Sequence, residues 1–168
     1  VIPGGRRLRV NLYRTLGLLS AVLRPIEEEI PSFEHLGLPS ELLETWLKRR
    51  AGLILITGPT GSGKSTSLAS CLQWINNRYH RHVATIEDPV EYQYPFDMDD
   101  PDVPGMKTLA PSIVTQQEVG RDVANYRQGL KDVLRKAPHI ILLGEIRDRE
   151  AMDTCLEAAQ TGHLVLPT

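Results

Sequence analysis

The stretch Leu53-Ile-Leu-Ile-Thr57-Gly58-Pro-Thr-Gly-Ser-Gly-Lys64-Ser65-Thr66 decides the fold of this 168-residue chain. Residues 58–65 fit the phosphate-loop pattern G-x-x-x-x-G-K-[ST] at every fixed position, and the apolar run before them is typical of a buried strand. The backbone N–H groups of such a loop, together with the positive end of the helix that follows, bind a dense anion such as a triphosphate. The stretch therefore predicts a strand, a phosphate-binding loop and a helix in succession.

Each position of the loop has an expected role. Its glycines let the backbone approach the phosphates closely, and Lys64 is expected to place its ammonium group at the β- and γ-phosphates of ATP. The Ser65 hydroxyl is a candidate ligand for a Mg²⁺ ion that keeps several of its waters. The candidate nucleotide-binding residues are Gly58, Pro59, Thr60, Gly61, Ser62, Gly63, Lys64, Ser65 and Thr66. The alternative, a glycine-rich turn with a solvated lysine, is disfavoured by the strand pattern before the loop and the helix pattern after it.

Composition limits the possible partners. The net charge is −2 and the pI is about 6.2, so the chain has no general electrostatic attraction to nucleic acid. Cys71 and Cys155 lack the spacing of a metal site, which favours a reducing compartment. The apolar runs are far shorter than the roughly 20 residues that span a bilayer, so we expect no direct membrane insertion. Because the chain begins at Val1 and stops after a strand-like run, we expect it to be a fragment of a longer protein.

The sequence divides into three parts. Residues 1–30 are expected to be the end of a small N-terminal domain, because residues 6–14 and 18–24 both show strand patterns. Residues 31–39, in a stretch rich in proline, form the expected linker. Residues 40–168 alternate between strand and helix patterns, which is typical of an α/β domain with a parallel sheet.

Within residues 40–168 the order of elements can be predicted. We expect helices over about 40–52 and 64–77, a helix capped by Asp122 that closes before Pro138, and a helix capped by Asp148 that reaches about Thr161. We expect strands at 53–57, 83–86, 140–144 and 163–166, and a long exposed loop over 92–112. Since the chain stops after the last strand, we also expect the sheet to end there on an uncovered apolar edge.

Acidic residues follow two of the expected strands. Glu145 comes directly after the apolar run 140–144, as in a Walker B strand whose carboxylate meets the Mg²⁺ shell. Glu87, Asp88 and Glu91 follow the strand at 83–86. Carboxyl ends of parallel strands meet at the edge of the sheet where ligands bind, so one of these residues is the expected base that polarises water. A single glutamate taken alone is more often a solvated loop residue.

Four motifs together resemble one family. Residues 57–66, Thr85-Ile-Glu-Asp-Pro-Val-Glu91, Gly144-Glu-Ile-Arg-Asp148 and Thr161-Gly-His-Leu-Val165 resemble the Walker A, Asp box, Walker B and the beginning of the His box of the type II/type IV secretion ATPases. The resemblance implies a RecA-like core after a PAS-like domain, assembled as a homo-hexamer. It also implies ATP hydrolysis in the cytoplasm, at an inner-membrane platform protein of a pilus or secretion machine.

Within that family, residues 30–39 and 117–122 are most similar to the retraction ATPases of twitching motility. Assembly ATPases of pili and of type II secretion are the nearest alternatives. A scaffold subunit that binds ATP without turnover is disfavoured by the presence of Lys64, Glu91 and Glu145, and a nucleic-acid translocase is disfavoured by the acidic balance.

The resemblance also implies roles for individual residues. It makes Glu145 the Walker B glutamate and a metal ligand, and it favours Glu91 as catalytic base, with Glu87 second. Arg9 and Arg24 match arginines of the N-terminal domain that reach the γ-phosphate, and His163 matches the first His-box histidine. The sequence departs from the family at Pro167, in stopping before the second histidine of that box, and in a loop over 92–112 that is about a dozen residues longer.

Overall fold

The computed structural model describes residues 7–26, 29–100, 102–146 and 148–168. Its strands are β1 Leu8–Thr15, β2 Leu18–Pro25, β3 Gly52–Leu53, β4 His82–Glu87, β5 Asp97–Asp99, β6 Lys107–Leu109, β7 Ile113–Glu118, β8 Ile140–Leu143 and β9 Leu164–Pro167. Its helices are α1 Ser40–Leu47, α2 Lys64–Asn76, α3 Tyr126–Leu134 and α4 Arg149–Gln160. The main sheet has the order β3-β9-β8-β4-β7, and every ladder in it is parallel. This confirms the predicted α/β class.

Helices cover both faces of the sheet. On one face, apolar residues of α1 and α2 pack with Val83, Ile140 and Leu164. On the other face, residues of α3 and α4 pack with Ala84, Ile141 and Val165. Because successive strand residues point to opposite faces, buried runs such as Ile140–Leu143 serve both cores, and they are apolar throughout for that reason.

The N-terminal strands pair as an antiparallel hairpin in which Arg9 lies opposite Arg24. The alternating pattern predicts a half-buried sheet, but nearly all of β1 and β2 is exposed, including Leu12 at 64% and Leu18 at 71%. Residues 1–6, 27 and 28 lie outside the described residues, so part of the expected domain over 1–30 is not described. Its assignment as PAS-like stays a prediction.

The position of β9 corrects an expectation. This strand lies between β3 and β8, so the sheet does not end on it; the outer strands are β3 and β7. The predicted strand at 53–57 is assigned only as Gly52–Leu53, although Ile54 N and Ile56 N still donate to Val165 O and Pro167 O at 2.9 and 3.3 Å. The segment before the phosphate loop is thus bonded to β9 over its whole length.

Residues 92–118 differ most from the sequence prediction. The expected exposed loop over 92–112 contains the hairpin β5–β6, and Tyr92 and Tyr94 at its beginning are buried. The strand β7 was not predicted, because its polar run Thr115-Gln-Gln-Glu118 lacks the apolar character of the other strands. It pairs with β4 along all six residues.

Helix caps distinguish one wrong prediction from one that is confirmed. Asp122 does not cap α3: its Oδ2 accepts from Glu118 N at 2.9 Å, and the cap is Asn125, whose Oδ1 accepts from Gln128 N at 2.9 Å. Asp148 does cap α4, since its Oδ1 accepts from Ala151 N at 2.7 Å. No helix in the described parts of the chain combines the length and the apolar character needed to cross a bilayer.

Candidate nucleotide-binding site

The parallel sheet brings the ends of its strands to one edge. The phosphate loop follows β3, Glu145 follows β8, Glu87 ends β4 and Glu118 ends β7. The strand β9 separates β3 from β8, so Thr168, the residue directly after β9, lies between the loop and the Glu145 segment. Ligands of open parallel sheets bind outside this carboxyl edge, which is where the sequence predicts the phosphates.

The loop is shaped by glycines at two positions. A Cβ atom on Gly58 would lie 2.7 Å from Ser62 Oγ, so a larger residue there would force the Ser62 hydroxyl to move. Gly63 precedes α2 with a left-handed φ of 91°, and no side chain caps the helix. The first N–H groups of α2 therefore have no side-chain acceptor at the cap, and they form the positive end that suits an anion.

Lys64 folds back over the loop. Its Nζ donates to Gly58 O at 2.9 Å and to Pro59 O at 3.0 Å. These acceptors are neutral carbonyls at an exposed position, and charge-assisted bonds to phosphate oxygens are about twice as strong as bonds between neutral groups. The lysine is therefore placed beside the loop and can exchange its partners when an anion binds.

Glu87 is a partly buried carboxyl group at the end of β4. Its Oε1 accepts from Thr85 Oγ1 at 2.6 Å and from Gln116 Nε2 at 3.2 Å. Burial raises the pKa of Glu87, the two hydrogen bonds oppose this shift, and the nearby carboxylates of Glu91 and Glu118 add to it. Glu87 therefore differs from an ordinary surface glutamate in its raised pKa and in the two hydrogen bonds that hold its carboxyl group.

The segment that carries Glu91 belongs to no strand and is held by side chains from elsewhere. Glu118 Oε2 accepts from Val90 N at 3.1 Å, and Gln116 Nε2 donates to Tyr92 O at 2.8 Å. Arg7 donates to Val90 O at 3.3 Å and to Glu91 O at 2.6 Å. Strand β7 and the beginning of the N-terminal hairpin together fix the backbone on both sides of Glu91.

One hydrogen bond joins this segment to the phosphate loop. The buried Tyr92 extends its hydroxyl to Thr66 Oγ1 in the first turn of α2, with 3.3 Å between the two oxygens. Tyr92 directly follows Glu91, and Thr66 is the last residue of the loop motif. The acidic segment and the loop are therefore in direct contact.

Glu145 lies in an exposed turn after β8. That turn is tied to β9, because Ile146 N donates to Thr168 O at 2.8 Å and the Thr168 hydroxyl donates to Gly144 O. Among the described residues, no group of three or more His, Cys, Asp or Glu side chains could hold a metal ion. The hydroxyl of Ser65 and the carboxylate of Glu145 nevertheless suit Mg²⁺, which uses one or two protein ligands together with waters and phosphate oxygens.

Three predicted residues are not bonded to the phosphate loop in the described parts of the chain. Arg9 and Arg24 lie on the exposed hairpin, and neither makes a hydrogen bond or ion pair to residues 58–66 in the described structure. His163 precedes β9 at the opposite, amino edge of the sheet, where its Nδ1 lies 3.1 Å from Ala158 O at the end of α4. Within this chain, His163 is separated from the phosphate loop by the length of β9.

Sequence reasoning missed four residues that contact the site: Arg7, Tyr92, Gln116 and Glu118. Arg7 stands beside other arginines, a pattern that is typical of a solvated surface, and Tyr92 begins the expected exposed loop over 92–112. Gln116 and Glu118 are spaced by two residues, which places them on the same face of a strand. The triplet Gln116-Gln-Glu118 is the one local signal for these contacts, but a polar triplet of this kind is also typical of a solvated loop.

Comparisons with known proteins agree with this geometry. The family described as Type II/IV secretion system protein matches residues 5–168. The type IV pilus retraction ATPase PilT of Pseudomonas aeruginosa is 40% identical over 167 residues, covering 99% of this chain and 44% of that protein. The type IV pilus ATPase PilU of the same organism is 41% identical over 162 residues, covering 96% of this chain and 39% of that protein.

A solved structure matches as well. The crystal structure of the pilus retraction motor PilT with bound ADP superposes with a TM-score of 0.86 at 44% identity, covering 99% of this chain and 45% of that one. The chain thus spans less than half the length of the relatives it matches. With a family match over nearly its whole length, and a phosphate loop and acidic segments at one edge of a parallel sheet, the chain belongs to the type II/IV secretion system protein family.

Proposed function

We propose that this chain is the ATP-binding core of a mechanical ATPase that drives a type IV pilus or type II secretion machine, and that its role is pilus retraction. The observation that carries the proposal is the contact between the loop and the acidic segment, Tyr92 to Thr66, at the carboxyl edge of the sheet. The identity to PilT and PilU supports the choice of a pilus motor, and the bound ADP in the PilT structure supports a nucleotide as ligand.

Different residues of the site have different roles in phosphoryl transfer to water. The N-terminus of α2 and Lys64 bind the β- and γ-phosphates, and Ser65 and Glu145 would hold Mg²⁺, which neutralises charge on those phosphates. Glu91 orients and polarises the attacking water, and Glu87 is the second candidate for this role. Positioning and charge account for most of such catalysis, because little covalent chemistry is required of the protein.

The proposal also covers the oligomeric state of the protein and its location in the cell. The protein works as a homo-hexamer on the cytoplasmic side of the inner membrane, docked on a platform protein of the machine. Residues 1–30 belong to a PAS-like domain, 31–39 to a linker and 40–168 to the RecA-like core. Arg9 and Arg24, which are exposed on the hairpin, reach the γ-phosphate when that small domain closes over a site.

The first test is nucleotide binding by the full-length protein. Lys64→Ala removes a charged donor from the phosphates, which typically contributes about 1.5–3 kcal/mol, so calorimetry is expected to show affinity for a non-hydrolysable ATP analogue falling roughly 10- to 100-fold. Lys131→Ala, on the exposed face of α3, is the matched control and is expected to bind normally. Equal affinities in wild type and Lys64→Ala contradict the proposal.

The second test separates turnover from binding. Glu145→Ala is expected to retain the analogue and to lose Mg²⁺-dependent phosphate release, since the carboxylate acts through the metal. A wild-type protein that binds ATP but releases no phosphate would instead support a scaffold subunit.

A further inference from the structure

Strand β7 presents two polar side chains to the segment that carries Glu91. Gln116 and Glu118 share one face of the strand, and they bond Tyr92 O and Val90 N on either side of Glu91. Residues 90–95 form no regular secondary structure, so no ladder fixes their backbone. Their position depends on these side-chain contacts and on Arg7.

Gln116 bonds both this segment and Glu87. Its Nε2 donates to Glu87 Oε1 at 3.2 Å and to Tyr92 O at 2.8 Å, and its Oε1 lies 3.4 Å from Tyr94 N, which donates to it. The network also fixes the orientation of the amide. If the amide were flipped, its oxygen would face a carboxylate and a carbonyl, and its NH₂ would face an N–H group.

The same side chain joins the two candidate bases. Gln116 lies opposite Thr85 in the ladder between β4 and β7, and both donate to the same oxygen of Glu87. Through Tyr92 O, Gln116 also fixes the peptide that follows Glu91. The distance between the two carboxyl groups is therefore set in part by one amide from an outer strand.

We infer that Gln116 is a positioning residue for ATP hydrolysis, which rests on the function proposed above. It holds the Glu87 carboxyl group and the Glu91 segment in one arrangement. Its bonds go to residues 87, 92 and 94, and among the described residues it makes none to the phosphate loop. Removing it is therefore expected to affect turnover and to leave nucleotide affinity almost unchanged.

The experiment compares three variants of the full-length protein. Gln116→Leu removes all three bonds at similar size, and Gln116→Glu keeps an acceptor for Tyr94 N but loses both donors. Gln128→Leu is the matched control, because Gln128 Nε2 bonds Asp132 on the exposed face of α3 at 2.9 Å. Steady-state kinetics, analogue binding and thermal melts are measured for each.

Both Gln116 variants are expected to lose about 10- to 100-fold in kcat, since a misplacement of about 1 Å can cost 10²-fold. KM and the analogue Kd are expected to stay within about threefold of wild type, because uniform binding is retained. The inference is overturned if the Gln116 variants keep a kcat within about twofold of wild type. It is also overturned if their loss of analogue affinity is large enough to explain their whole loss in kcat/KM. An equal loss of kcat in Gln128→Leu also overturns it.

A second readout does not need turnover. Hydrogen exchange of the backbone amides of residues 90–94 is expected to be faster in Gln116→Leu, because Tyr94 N loses its acceptor and Tyr92 O its donor. Unchanged exchange overturns the inference even if the wild-type protein hydrolyses no ATP. The ATP hydrolysis rate of the wild-type protein thus tests the proposed function. The hydrogen exchange, and the kcat of each variant relative to wild type, test the role of Gln116.

Discussion

Glu87 ends β4 and Glu91 follows it, and the carboxyl groups of the two residues are held differently. Glu87 is fixed by bonds from Thr85 and Gln116, whereas the Glu91 side chain receives no hydrogen bond from the described residues, and only its backbone is bonded by Arg7. A base that orients water needs a free lone pair within hydrogen-bond reach of that water. We propose Glu91 as the base because no described residue bonds its carboxylate, and Glu87, whose Oε1 is already bonded twice, as the second candidate.

We expect Glu91→Gln to trap ATP in the full-length protein. The amide keeps the shape of the side chain but cannot accept a proton, and the loss of a general base typically costs about 10²–10⁴-fold in rate. Glu157→Gln, an exposed position on α4, serves as the control. Single-turnover phosphate release measures the effect. A normal rate in Glu91→Gln together with a slow rate in Glu87→Gln would exchange the two roles.

The burial of Glu87 predicts a dependence of stability on pH. The pKa of Glu87 in the folded state is raised above the ordinary 4.5, so the group ionises at a higher pH in the folded state than in the unfolded chain. Wild type therefore loses stability as the pH rises from about 4.5 through the raised value, and Glu87→Gln lacks this loss.

The measurement is urea unfolding of both proteins at a series of pH values on both sides of 4.5. The free energy of unfolding of Glu87→Gln minus that of wild type is expected to increase with pH. A difference that stays constant across the series would show that burial does not raise the pKa of this carboxyl group.

Gly144, the residue directly after β8, lies close to the backbone at the end of β4. A Cβ atom there would lie 3.2 Å from Ile86 O and 3.4 Å from Glu87 Cα, and both neighbours are backbone atoms that cannot rotate away. Gly144→Ala is therefore expected to push the end of β4, costing about 1–3 kcal/mol of stability and lowering kcat.

Gly162→Ala is the matched control. Its φ of 111° strains an alanine, but nothing lies within 4 Å, and the residue is at the amino edge of the sheet. It is expected to lower the melting temperature and to leave the kcat of the folded protein unchanged. If both variants retain wild-type kcat below their melting temperatures, the contact at Gly144 has no influence on the site.

The elements that the sequence predicts well are those with a local cause. The apolar run at 140–143 is buried on both faces, and Asp148 caps the helix that follows it, so periodicity and capping identified them. The phosphate loop needs glycines at fixed positions, and it was found for that reason. By contrast, β7 is recognised only through its partner β4, and its polar side chains bond residues far away in sequence. Local patterns contain no signal for such contacts.

For the whole molecule, we expect the 168-residue chain to hydrolyse ATP far more slowly than a longer protein that contains it. Arg9 and Arg24 lie on an exposed hairpin, and in the described structure neither makes a hydrogen bond or ion pair to the phosphate loop. An arginine that stabilises the transition state of phosphoryl transfer contributes about 10³–10⁵ in kcat. Phosphate release by the two forms at equal concentration measures the difference, and rates within about tenfold of each other would show that these arginines contribute little.

The central place of β9 has a consequence for biosynthesis. A ribosome releases the chain from its N-terminus, so Gly52–Leu53 and the phosphate loop emerge long before Leu164–Pro167, the only described strand that pairs with β3. Until β9 is made, the loop is attached to a segment without a ladder, and β8 has only β4 beside it. A nascent chain stalled before Leu164 therefore displays a complete Walker A sequence that has no fixed anchor.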